Sequence, residues 1–214
     1  MRLLPTSVLG RFFLSTFLWL PAAFAFWYFV AQVLLMPAVW ISQWLLNLMH
    51  PGLIENVEGL ARELFFVTGL TIDVPGAPAG AVGQAVISVN ALVYSWNLPV
   101  LLALLFAADE RFFTYWRLVI AYIGLMPLHV WGISFDVLKT LALDSGSEIR
   151  SELAFQTWHL EVIGLGYQFG FLMLPVIGAA TLWIAMNRRF ILILLERPAF
   201  APLRASSPGK DKEI

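Results

Sequence analysis

Residues 116–139 read WRLVIAYIGLMPLHVWGISFDVLK. The stretch carries Arg117 at its start, stays apolar for most of its length, and ends in a polar group, His129, Asp136 and Lys139. About 20 predominantly apolar residues suffice to cross roughly 30 Å of hydrocarbon as a helix. This segment therefore predicts a membrane span with a basic entrance and a polar exit, and the other segments can be oriented from it.

Composition agrees. The 214 residues are 60% hydrophobic and 13% charged, against about 25% charged in a soluble domain. There is no cysteine, which excludes disulfides, thiolate metal sites and cysteine nucleophiles. A net charge of −1 leaves no basic footprint for nucleic acid, so the expected surroundings are membrane lipid.

Outward from this stretch, four spans are expected, at about 12–36, 92–108, 116–138 and 162–186. The first, FFLSTFLWLPAAFAFWYFVAQVLLM, follows Arg2 and Arg11. Ala23-Phe24-Ala25 imitates a signal-peptidase site, but the apolar run continues to Met36, as an uncleaved anchor would. Pro21 is expected to kink it. PAVWISQWLLNLMH, Pro37 to His50, exceeds one span and is expected to lie on the outer surface or to re-enter, with Trp40 and Trp44 at headgroup depth. After Pro51-Gly52, the 4, 3, 4 spacing of Leu53, Val57, Leu60 and Leu64 predicts a short amphipathic helix.

Leu64–Val74 and Ala85–Asn90 are rich in β-branched and aromatic residues, and breakers lie between them. They predict a β-hairpin, which would shield helix ends or pair with a partner's strand. The second span enters through Tyr94, Ser95, Trp96, Asn97 and Pro99 and is followed by a turn at Asp109-Glu110-Arg111. The last contains Gly166 and Gly170, a small-xxx-small pair that lets another helix approach. Residues 190–214 are expected to form a cytoplasmic tail, disordered at its end.

With loops placed alternately, Arg62, Lys139 and Arg150 are the basic residues on one side, and all the other Lys and Arg fall on the opposite side. The positive-inside rule then puts both termini in the cytoplasm. The predicted fold class is an all-α, multi-pass membrane protein, N-in and C-in. Residues 1–189 form one membrane domain, with an interfacial helix and a β-hairpin, 51–90, outside.

His129, Asp136 and Lys139 share a helix face, and ionisable groups at that depth mark functional candidates. His159 and Glu161 enter the last span from the same side. Two imidazoles and two carboxylates suit acid–base work, so His129, Asp136, His159 and Glu161 are the candidate catalytic residues. The alternative for Asp136 and Lys139 is a helix end at the interface. The spacing matches no metal signature, so no metal and no cofactor are expected. Ser134, five residues from His129, is poorly placed to use it as a base.

Trp19-Leu20-Pro21, Trp27-Tyr28, Val89-Asn90 with Tyr94, Leu98-Pro99 and Leu101 to Leu105, and Trp131-Gly132 with Phe135-Asp136-Val137-Leu138-Lys139 resemble the exosortase H-associated membrane proteins. The resemblance covers about residues 11–189. It implies a bacterial inner-membrane accessory of a sorting system, whose partner is an exosortase or its sorted substrates. Exosortases work through a cysteine, which this chain lacks. Asn90, Tyr94, Trp131, Asp136, Lys139, Gly166 and Gly170 are then the candidate partner-binding residues. The competing reading is a membrane-embedded hydrolase or transferase with an outward-facing His/Asp site. A transporter is disfavoured by the lack of a polar stripe.

Overall fold

A computed structural model describes residues 7–60, 63–73, 78, 82–108 and 115–196. The chain begins with α1, Val8–Met49, a single helix of 42 residues that runs through both Pro21 and Pro37. At about 1.5 Å per residue it is roughly twice as long as the hydrocarbon is thick. The expected break at Pro37 is absent, and residues 37–49 neither lie apart nor re-enter. The reason is on the buried side: Leu35, Ala38, Val39 and Leu46 are the wall against which a sheet packs.

That sheet has three strands in the order β1 (Ile54–Leu60), β2 (Glu63–Asp73), β3 (Val82–Val89), all antiparallel. The expected β2–β3 hairpin is there, while most of its loop lies outside the described residues. The amphipathic helix expected after Gly52 is instead β1, so no interfacial helix forms there. Leu53, Val57 and Leu64 do have helical spacing, but a two-stranded hairpin is marginal on its own. Pairing Val57 with Phe66 satisfies the free edge of β2. The Asn47 side chain fixes the join to α1, donating to the Ile54 carbonyl and accepting from its N–H, both at 2.8 Å.

Strand alternation then decides which residues face the helices. Ala85, Ile87 and Val89 point inward with Leu64, Phe66 and Leu70, while Gln84, Val86 and Ser88 face out. The buried Thr68 hydroxyl donates to the Ala85 carbonyl at 2.7 Å, so it enters the core with its polar group satisfied.

The chain returns through a single turn, α2 (Leu92–Ser95), and α3 (Asn97–Ala107). After the undescribed Asp109-Glu110-Arg111 come α4 (Tyr115–Lys139), a π-helical turn (Thr140–Asp144) and α5 (Ser147–Glu152). Next, α6 (Thr157–Gln168) continues through a second π turn, Phe169–Met173, into α7 (Leu174–Met186), and α8 (Arg188–Glu196) follows. Pro175 offers one reason for the second π turn. A proline clashes with the carbonyl four residues back, here that of Phe171, inside the wider turn.

Among the described residues, three helices are long and apolar enough to cross a membrane: Val8–Met49, Tyr115–Asp144 and Thr157–Met186. The segment expected as the second span is a shorter apolar helix, Leu92–Ala107. The fold is thus mostly helical with a small sheet. Tyr122 donates to the Leu34 carbonyl at 2.7 Å and Ser42 to the Val130 carbonyl at 3.4 Å. The same sequence offset recurs two turns apart, so α1 and α4 run parallel. Leu182 lies over Gly124 and Leu128 over Gly178, so α7 runs antiparallel to α4.

Candidate functional site

The polar end of α4 is positioned by a close seam with α6. A Cβ at Gly166 would lie 2.1 Å from the Phe135 ring, and one at Gly132 would lie 2.3 Å from the Tyr94 ring. Neither position has room for a side chain. Trp131 stacks on Phe135 at 4.6 Å and donates its indole N–H to the Gly166 carbonyl at 2.9 Å. Gly170 brings its backbone against Trp131 and Gly132. The helix that Gly166 and Gly170 admit is therefore α4 of the same chain.

At the sheet end of this seam the Tyr94 hydroxyl lies beside Asp136 and Tyr167. Lys139 forms its ion pair with Asp144, five residues on, not with Asp136, and its Nζ sits 5.4 Å from the centre of the Tyr167 ring. Tyr167 in turn stacks on Phe171 at 5.9 Å. The result is a half-open group of two phenols, two carboxylates and one ammonium beside the sheet. It can hydrogen-bond a polar backbone or a charged side chain. Exposed Asn90 is not part of it: its side chain accepts from the Leu92 N–H at 3.2 Å, opening α2.

His129 sits deeper. It is wholly buried, as is Asn97, and its Nε2 lies 2.9 Å from the Asn97 Oδ1. An amide oxygen only accepts, so this ring nitrogen carries the proton. His129 Nδ1, Asn97 Nδ2 and the buried Ser134 hydroxyl have no partner among the described residues. Each such group costs about 1–3 kcal/mol when left unsatisfied.

His159 does something else again. Its Nδ1 accepts from the Gln156 N–H at 3.1 Å while the Gln156 side chain accepts from the His159 backbone, a reciprocal cap on α6. Its ring also contacts Trp158 at 3.9 Å. Glu161 is exposed. The four candidate catalytic residues thus occupy different surroundings, and no three His, Asp or Glu of the described residues come together as a metal-binding group. Sequence reasoning missed Asn97, Asp144 and Tyr167 as partners. Only Asn97 gave a signal, as an amide in an otherwise apolar helix.

The family model described as exosortase H-associated membrane protein matches residues 6–190. Among curated proteins and among solved structures, nothing matches the chain. The matched region takes in α1 to α7, the sheet and the Tyr94–Asp136 group, and the chain belongs to the exosortase H-associated membrane protein family.

Proposed function

We propose, from that membership, that the protein is an accessory of an exosortase-type sorting system in a bacterial inner membrane, and that it binds the sorting enzyme or the C-terminal transmembrane signal of its substrates. In this reading Leu92–Ala107 completes a fourth crossing, both termini are cytoplasmic, and the sheet stands outside. The basic residues gathered at one end support the orientation.

One observation carries the binding role. Val162, Leu165, Phe169, Leu172 and Val176 are all exposed, and they recur at intervals of 3, 4, 3 and 4 residues. That is the spacing of a helix–helix seam, on a side of α6–α7 that, apart from the Phe169 ring beside Trp131, no other described element covers. Lipid also tolerates such a face, so the seam becomes a docking site only if a partner helix uses it. The Tyr94–Asp136–Lys139 group lies at the outer end of the same helix pair and would meet polar residues flanking that partner's apolar segment.

The test is deletion in a host that carries an exosortase, following maturation of a tagged sorting substrate. Failed maturation restored by wild type and by well-inserted His129→Ala, with weaker rescue by Asp136→Ala, fits a binding accessory. Normal maturation without the chain contradicts the proposal. Rescue lost in well-inserted His129→Ala, whose side chain is enclosed in the bundle away from the docking face, would favour the hydrolase or transferase alternative.

A further inference from the structure

The end of the bundle away from the sheet carries a pocket of about 200 Å³ lined by Arg117, Met186, Asn187, Arg188, Arg189 and Phe190. Its walls are built rather than incidental. Asn187, buried at the end of α7, donates its side-chain N–H to the Trp183 carbonyl at 2.8 Å and accepts from the Arg117 guanidinium at 2.8 Å. Arg117 also donates to the Met186 carbonyl. Phe190 is buried, with its ring 5.3 Å from Phe12 and 6.1 Å from Trp183, which holds the first turn of α8 in place. Arg188 and Arg189 are therefore exposed at a fixed corner, with Arg11 adjacent to Phe12 in the chain.

Among the described residues, three arginines and no acidic residue line this pocket. Among the described residues neither Arg188 nor Arg189 has an ion pair. Like charges held together favour an anion between them, and guanidinium groups match phosphate oxygens in geometry. Depth supplies the second argument. Tyr115 and Trp116, immediately before Arg117, are 82% and 63% exposed, and such rings gather at headgroup level. Met186 and Phe190 give the pocket an apolar side.

We infer that this pocket binds the phosphate group of an anionic phospholipid headgroup, with Arg188 and Arg189 reaching its oxygens and Arg117 forming the back wall. The inference is independent of what the α6–α7 face binds.

The test uses the full chain in nanodiscs of phosphatidylcholine with or without phosphatidylglycerol, reading lipid retention by native mass spectrometry. Wild type retains phosphatidylglycerol selectively. The double variant Arg188→Gln/Arg189→Gln binds it roughly 30-fold more weakly, about 2 kcal/mol for two charges. A control variant at the opposite end, Arg150→Gln, behaves as wild type. Equal retention by wild type and the double variant, or equal retention of phosphatidylcholine, overturns the inference. Displacement of phosphatidylglycerol by millimolar inorganic phosphate would reassign the pocket to a soluble phosphate and overturn the lipid assignment. If the double variant fails to insert, the single variants Arg188→Gln and Arg189→Gln are read instead, each with a loss of roughly 5-fold expected.

Discussion

α4 and α6–α7 are neighbouring antiparallel candidate spans of similar apolarity, yet they are buried to different extents. Of the most apolar stretch of each, 39% is buried for Tyr115–Asp144 and 17% for Thr157–Met186. α4 touches α1, α3, the sheet and α7, and its His129 and Ser134 turn inward. α6–α7 spends its glycines on α4 and leaves the opposite side bare. Close packing inside the chain and a face open to partners are thus combined in one helix. Hydropathy alone does not separate the two sides.

The sharpest way to break the contrast is to fill the seam. Gly166→Leu drives a side chain into the Phe135 ring and displaces Trp131 from the Gly166 carbonyl; a loss of about 3 kcal/mol is expected, as for other overpacked sites. Thermal unfolding in detergent should show it as a large fall in Tm, whereas Leu172→Ala on the bare side should leave Tm unchanged. Next in size is Asn47→Leu, which removes two hydrogen bonds to Ile54 and should cost about 2 kcal/mol. Limited proteolysis would report it as earlier cleavage within the sheet.

His129→Ala opens a cavity and leaves Asn97 with no partner. A destabilisation of about 2 kcal/mol is expected, and denaturant unfolding would measure it. The smallest effect belongs to the Lys139–Asp144 ion pair. Lys139→Ala should change stability by less than about 1 kcal/mol, because both groups of the pair are partly exposed. A larger fall would mean that the Tyr167 contact carries more than its geometry indicates.

Much of this contrast was legible in the sequence. The spans at 116–138 and 162–186, the β2–β3 hairpin and the close approach at Gly166 and Gly170 follow from apolar length, β-branched runs and small-residue spacing. What was not legible depended on contacts between distant segments. Residues 37–49 stay helical because a sheet made from later residues covers Leu46 and Val39. Residues 54–60 become a strand because β2 offers them an edge, against a local pattern that favours a helix. The segment expected as the second span has nearly the expected bounds, Leu92–Ala107, and its polar entry is taken up by α2 and by the Asn97–His129 contact. At the site, residue types pointed to His129 and His159 as one group, but one is enclosed in the bundle and the other caps a helix. Only the folded chain separates those roles.

The central claim is that the bare side of α6–α7 receives a helix of the sorting enzyme or its substrate. It is tested most directly by placing a photo-crosslinking amino acid at Leu165, Leu172 or Val176, and at Phe29 on the exposed side of α1 as reference, in cells that mature a sorting substrate. The account predicts protein adducts containing the exosortase or its substrate from the α6–α7 positions and only lipid adducts from Phe29. Lipid adducts alone from all three α6–α7 positions, with maturation intact, would contradict it.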